Sequence, residues 1–306
     1  MSPAQGPIDV RVEDRTLRLT NLDKVYWPEV GFSKGEMIQY YTRVAPVLLP
    51  HLKDRPLTLK RYPEGVDGQM FYEKNCPKHR PPWVETARVW SGSNSRDMDY
   101  CMVQDLPSLV WVAQLGTIEL HTSLSLHTEL DQPTMLVFDL DPGPPATIVE
   151  CCGVAGALRD WFLEHDMQAF PKTSGSKGLQ IYVPINRPMD YDQAKQVSRG
   201  LAQKLERERP KQVVSLQRKT LREGKVLIDW SQNDDAKTTV SVYSLRARER
   251  PTVSTPVTWD EVERCVEAGD PGLLVFDSAA VLERVERLGD LFAPVLTLEQ
   301  KLPAKV

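Results

Sequence analysis

The segment Met135-Leu-Val-Phe-Asp-Leu-Asp-Pro-Gly143 constrains this chain more tightly than any other. Met135 to Leu140 is almost wholly apolar, the pattern of a buried strand, and two acids, Asp139 and Asp141, interrupt it. Side chains alternate along a strand with period two, so both carboxylates lie on one face. Pro142-Gly143 ends the run and leaves the pair at its tip. Adjacent carboxylates repel unless a cation lies between them, and hard oxygen ligands suit Mg²⁺ or Mn²⁺. Taken alone, the same pattern fits a solvated strand end carrying two surface acids.

Two later segments favour the metal reading. Thr173-Ser-Gly-Ser-Lys-Gly-Leu-Gln-Ile-Tyr-Val-Pro184 opens with a tight turn of small residues around Lys177, then becomes a strand from Leu179. Backbone N–H groups in such a turn can converge on an anion, and the lysine adds a point charge. It is not a P-loop, because the spacing differs and a strand follows instead of a helix. Lys225-Val-Leu-Ile-Asp-Trp-Ser-Gln-Asn233 carries a third acid, Asp229, at the end of a short apolar run. Three carboxylates could complete a two-metal site for phosphoryl transfer. Arg218, Lys219, Arg222, Lys225, Lys237, Arg246 and Arg248 surround it in sequence, which suits a polyphosphate or nucleic-acid substrate.

In this order the three segments resemble the polymerase domain of bacterial ATP-dependent DNA ligase D, in the archaeo-eukaryotic primase superfamily. Further blocks carry the likeness over nearly the whole chain: Leu19-Thr-Asn-Leu-Asp-Lys-Val25, Lys60-Arg-Tyr-Pro-Glu-Gly-Val-Asp67, Phe71-Tyr-Glu-Lys74, Ile118-Glu-Leu-His121 and Tyr243-Ser-Leu-Arg246. The resemblance implies that Asp139, Asp141 and Asp229 are catalytic and hold two divalent ions, Mn²⁺ in preference to Mg²⁺. It implies nucleotide contacts at Lys60, His121, Ser174, Lys177, Gln180, Gln232 and Arg246. Asn21, Lys24 and Lys34 match residues that grip a downstream 5′-phosphate. Phe71 and Tyr72 match aromatics that stack on the template, and Lys74 and Arg222 are expected to touch the DNA backbone or the substrate phosphates. The family usually has histidine where this chain has Gln180. Glutamine can donate a hydrogen bond but carries no charge, so triphosphate binding is expected to be weaker or differently arranged.

The implied activity is template-directed nucleotidyl transfer, favouring ribonucleotides, for gap filling or end extension at DNA breaks. Implied partners are gapped or broken DNA with a 5′-phosphate, NTPs or dNTPs, and end-joining or excision-repair proteins including a separate ligase. The implied setting is the bacterial cytoplasm, at the nucleoid when on DNA. Two alternatives stand beside this. One is a DNA-end-binding module with weak or lost polymerisation, made thinkable by Gln180. The other is a haloacid-dehalogenase-type phosphohydrolase, which also starts from Asp-x-Asp; that family wants its motif near the N-terminus and Thr or Val where Gly143 stands.

A net charge of −4 argues against broad coating of DNA. Charge is uneven, however: residues 20–80 are +3 and 211–256 are +4, against −6 for 81–140 and −5 for 257–306. Local basic grooves fit this distribution. No apolar run reaches the ~20 residues of a membrane helix, and no signal-peptide pattern is present. Cys76, Cys101, Cys151, Cys152 and Cys265 form no CxxC pair and no even set. Buried thiols in a reducing compartment, with neither disulfide nor zinc, are the simplest expectation.

Capping boxes at Ser33, Thr147 and Thr258, and an Asp190 cap, predict helices. The first should end near Leu49, before Pro50, and the one after Asp190 should reach Arg209. Strands are expected near 17–20, 56–60, 135–140, 179–184, 226–230 and 239–243. Strands mixed with long helices, without regular βαβ alternation, indicate an α+β class. With no repeat or linker, the expectation is one primase-polymerase domain over 1–306. The resemblance adds a catalytic core with a strand-rich cleft and a packed N-terminal α/β module.

Overall fold

The aspartate strand, Met135–Pro142, is the middle of a five-stranded sheet. Across the sheet the strands run Phe170–Thr173, Leu179–Pro184, Met135–Pro142, Val226–Asp229 and Val213–Val214. All neighbours are antiparallel except the last pair. The protein is described here from a computed structural model, which covers residues 6–92 and 95–303.

Both faces of this sheet are covered, and alternation decides which side chain goes where. Leu136, Phe138 and Leu140 pack with Leu179, Ile181 and Val183 into one core, roofed by helices Ile148–Leu163, Tyr191–Glu208 and Trp259–Ala268. Met135, Val137 and Tyr182 face the other way, into a second core. Asp139 and Asp141 continue the parity of Val137. Their carboxylates therefore emerge on the side that fronts the rest of the chain.

That remainder is built around a six-stranded sheet. Along it lie Thr239–Val240, Thr117–Thr122, Leu57–Arg61, Arg96–Cys101 and Thr86–Ser91, and Phe71–Glu73 also pairs with Leu57–Arg61. Helices Lys34–Leu52 and Leu106–Gln114 pack with it. The α+β expectation, with a strand-rich cleft and an N-terminal module, is borne out. Among the described residues no helix is long and apolar enough to cross a membrane.

The capping boxes form as expected at Ser33, Thr147 and Thr258, and the expected Asp190 cap is itself completed to a box by Gln193. Three expectations are corrected. The first helix passes Pro50 and runs to Leu52, with Pro46 and Pro50 inside it. Both prolines lie on the exposed face, where the carbonyls they leave unpaired can meet water. The buried stripe Met37, Tyr41, Val44, Leu48, Leu52 continues beneath them. The strand expected over 239–243 is only Thr239–Val240. Tyr243 takes a left-handed backbone (φ 63°), and its N–H bonds Ser254 O instead of a sheet neighbour. Finally, Cys76 and Cys101 are disulfide-bonded, against the expectation of free thiols. Sequence spacing hid this pair, because Cys76 N–H bonds Asp99 O and so brings the chain after Phe71–Glu73 alongside Arg96–Cys101. Cys151, Cys152 and Cys265 are buried free thiols, as expected.

Candidate active site

Strand register assembles the site. Lys172 lies opposite Gln180, Gln180 opposite Asp139, and Asp139 opposite Asp229. A polar row thus crosses four adjacent strands of an otherwise apolar sheet. Asp141, two residues on, adds a second carboxylate to the same face. Two glycines let other segments close on the strand end. A Cβ at Gly178 would stand 2.1 Å from Leu140 O, and one at Gly143 would stand 1.9 Å from Arg222 O. Only glycine allows the turn around Lys177 and the Arg222 loop to approach this near.

The carboxylates repel. Burial, then the charge of Asp141 and that of Asp229, raise the Asp139 pKa. Burial and Asp229 raise that of Asp141, with Arg222 and Arg246 opposing. Asp229 is turned into its own turn: Oδ1 accepts from Ser231 N (3.0 Å) and Oγ (2.6 Å), and Oδ2 from Gln232 Nε2 (3.1 Å). Among the described residues no three acid, His or Cys side chains form a ready-made ligand shell. The donor set nevertheless fits a hard divalent cation, because clustered oxygens of like charge are relieved by one.

The turn after Thr173 is braced from within. Ser174 Oγ accepts from Ser176 N (3.2 Å) and Gly178 N (3.1 Å). Arg246 donates to Ser174 O (2.5 Å) and Thr252 to Gly175 O (2.6 Å). Lys177 is left exposed. A cavity of about 260 Å³ gathers most of the expected nucleotide residues: His121, Ser174, Lys177, Gln180, Gln232 and Arg246, with Asp139 and Asp141. Arg248 joins them. Lys60 is not in this wall; it meets Glu119 Oε1 at 3.2 Å, and Glu119 bonds His121. A larger, mainly apolar cleft of about 330 Å³ shares Ser176 and Lys177 but none of the three acids.

Gln180 does not stand free. It is buried, its Oε1 accepts from Lys172 Nζ (2.5 Å), and its Nε2 donates to Thr239 Oγ1 (3.3 Å). Lys172 is fully buried and also donates to Ser254 Oγ (2.6 Å). Burial pushes its pKa well down, against the pull of Asp139. Lys172 and Glu119 were missed by sequence reasoning. Each is a charge inside an apolar strand, a signal that could have marked them.

The segment expected to hold a 5′-phosphate also comes together. Lys34 N bonds Lys24 O and Gly35 N bonds Leu22 O, so the Asn21–Lys24 turn sits on the start of helix Lys34–Leu52. Lys24 Nζ pairs with Glu64 (2.5 Å), and Lys34 Nζ donates to Thr20 O (3.0 Å). Burial, then Lys24 and Arg61, lower the Lys34 pKa to about 8. Arg61 is a cation of this cluster that sequence reasoning did not include.

Phe71 and Tyr72 are both about half exposed. As strand neighbours they point to opposite sides. Tyr72 stands edge-on to His121, with centroids 6.2 Å apart, and meets Thr238 Oγ1 at 3.2 Å. Lys74 bonds Ala236 O (3.2 Å) and Arg222 bonds Gln217 O (2.6 Å), so both are anchored at the rim.

A family model described as "LigD, primase-polymerase domain" matches residues 33–292. This chain belongs to the LigD primase-polymerase domain family. It is 41% identical over 281 residues to the multifunctional non-homologous end joining protein LigD of Mycolicibacterium smegmatis, covering 91% of this chain and 36% of that protein. The bifunctional LigD of Bacillus subtilis is 28% identical, covering 89% and 43%. The chain thus spans between about a third and under half of the length of these LigD relatives. Its structure is similar to a polymerase domain from Mycobacterium tuberculosis ligase D, solved in complex with DNA. The TM-score is 0.86 at 38% identity, covering 94% of this chain and all of that one. Membership of the LigD family sets the phosphohydrolase alternative aside.

Proposed function

We propose that this LigD-type domain is a template-directed nucleotidyltransferase that extends a primer at gaps or broken DNA ends carrying a 5′-phosphate. The observation that carries the reading is register: Asp139 and Asp141 share a face, Asp229 lies opposite Asp139, and the Lys177 turn closes on the same strand end. Asp139 and Asp141 would hold divalent cations, two Mn²⁺ by preference, with Asp229 beside them. When bound, such ions neutralise phosphate charge and acidify a coordinated hydroxyl. Lys177 and Arg246 bind and orient the triphosphate, with the Gly175 and Lys177 N–H groups, which take no part in bracing the turn. His121 and Tyr72 border the place of the nucleoside and the template base, where an aromatic platform contributes about 1–3 kcal/mol per stacked base. Lys24, Lys34 and Asn21 grip the 5′-phosphate through their side chains, since the first N–H groups of the helix are already bonded. Ser174 serves by bracing the turn, Gln232 by holding Asp229, and Lys60 through Glu119.

The test is primer extension on gapped DNA with labelled NTPs and dNTPs, in Mn²⁺ or Mg²⁺. Extension favouring NTPs and Mn²⁺, abolished in Asp139→Ala, supports the reading. DNA binding without any extension under either metal overturns it in favour of an end-binding module.

A further inference from the structure

Glu119 is a carboxylate that the reaction itself does not consume, yet it touches three groups expected to face the nucleotide. It lies on strand Thr117–Thr122, flanked by Leu57–Arg61 and Thr239–Val240, and only 1% of it is exposed. Its Oε1 accepts from Lys60 Nζ (3.2 Å) and Ala247 N (3.1 Å). Arg246 Nε stands 3.3 Å from the same oxygen, and as that nitrogen makes no well-aligned hydrogen bond the contact is ionic. The other oxygen, Oε2, meets His121 Nε2 at 2.9 Å. A buried carboxylate is costly unless paired and hydrogen-bonded, and here it is both. Burial alone would raise its pKa; the His121 hydrogen bond and the charges of Arg246 and Lys60 outweigh that and hold it far below the usual carboxylate range.

Lys60, His121 and Arg246 come from distant parts of the chain, and one carboxylate group joins them. An ionised carboxylate can only accept hydrogen bonds. Burial, helped by the charges of Arg246 and Lys60, outweighs the pull of Glu119 and lowers the His121 pKa, which favours the uncharged imidazole. A neutral ring touching Glu119 through Nε2 must therefore carry its proton there. Nδ1 has no protein partner among the described hydrogen bonds, and the ring lines the cavity.

We propose that Glu119 is a positioning residue: it holds Lys60, His121 and Arg246 in one arrangement and fixes the His121 proton on Nε2, so that Nδ1 offers a hydrogen-bond acceptor to the nucleotide. The proposal rests on the nucleotide-binding reading of this cavity.

Glu119→Gln tests it, because shape and charge then pull in opposite directions. Removing a negative charge beside a polyphosphate site should, by Coulomb attraction alone, tighten nucleotide binding. The amide, however, would turn an N–H toward His121, which must then shift its proton to Nδ1. The Kd of ATP with Mn²⁺, measured by calorimetry, is expected to rise at least tenfold, and KM for ATP to rise more than kcat falls. Unchanged or tighter ATP binding overturns the proposal. Side-chain ¹⁵N spectra, with His121 assigned through His121→Gln, read the tautomer directly. The Nε2–H form in wild type, reversed in Glu119→Gln, supports the assignment. An Nδ1–H form in wild type refutes it even where the variant does not fold. A wild type that neither binds ATP nor extends a primer sinks the polymerase reading instead, and the tautomer result stands apart from it.

Discussion

Lys172 and Gln180 form a buried pair beside Asp139: Lys172 Nζ donates to Gln180 Oε1 at 2.5 Å, and Gln180 lies directly opposite Asp139. The departure from the family's usual histidine is thus built into the sheet. Lys172 engages the amide oxygen, and of the two Nε2 hydrogens one goes to Thr239 and the other is drawn to Asp139, so little of the amide is left for a phosphate.

Restoring histidine at this position is expected to do less than sequence alone suggested. A ring nitrogen can accept from Lys172, but a second positive charge beside that lysine is disfavoured. Gln180→His should therefore leave KM for NTP within about twofold, with no added pH dependence between about pH 6 and 8, the range set by an unperturbed histidine. Gln180→Leu, which takes one of its two acceptors from buried Lys172 and leaves it Ser254 alone, should lower stability by about 1–3 kcal/mol. Kinetics across pH and urea unfolding of both variants check this.

Burial, reinforced by repulsion from Asp141 and Asp229, makes stability depend on pH and metal at Asp139. Its pKa is raised from 3.8 to about 7, so the folded state binds the proton more tightly than the unfolded chain. This contribution to stability is full below about pH 4 and lost as pH rises through about 7. Without metal, Asp139→Asn should raise Tm at pH 8 and change it little at pH 4. Mn²⁺ should raise Tm of the wild type at pH 8 and leave Asp139→Asn nearly unmoved. Thermal scans at the two pH values, with and without Mn²⁺, decide it.

Recognition of the 5′-phosphate should weaken in alkali. Lys34 titrates near about 8 when no anion is bound, so its charge is present at pH 7 and mostly absent at pH 9.5. Gapped DNA with a 5′-phosphate should outbind the unphosphorylated form by tenfold or more at pH 7, given about 1.5–3 kcal/mol per charged contact. The ratio should shrink at pH 9.5, and Lys24→Ala with Lys34→Ala should bring it near one. Fluorescence anisotropy with both DNAs measures the ratio.

The Cys76–Cys101 bond closes a loop of 25 residues behind the strand that carries Phe71 and Tyr72. In the chain-entropy account, losing it should cost about 3 kcal/mol. Cys76→Ser with Cys101→Ser should lower Tm accordingly. Thiol titration of the unfolded, unreduced protein should find three free thiols, and five after reduction.

The sequence by itself determined whatever depends on near neighbours in the chain. Strand parity put Asp139 and Asp141 on one face, capping boxes set four helix starts, and small residues around Lys177 marked the turn. Motif order was enough for the family. Only the tertiary structure decided what depends on pairing register and on which segments meet. It set Asp229 opposite Asp139, joined Lys172 to Gln180, and gathered Lys60, His121 and Arg246 on Glu119. It joined Cys76 to Cys101 and carried the first helix past Pro50. The reason is physical: local periodicity is written along the chain, whereas register is fixed by burial on two faces of a sheet whose strands lie far apart in sequence.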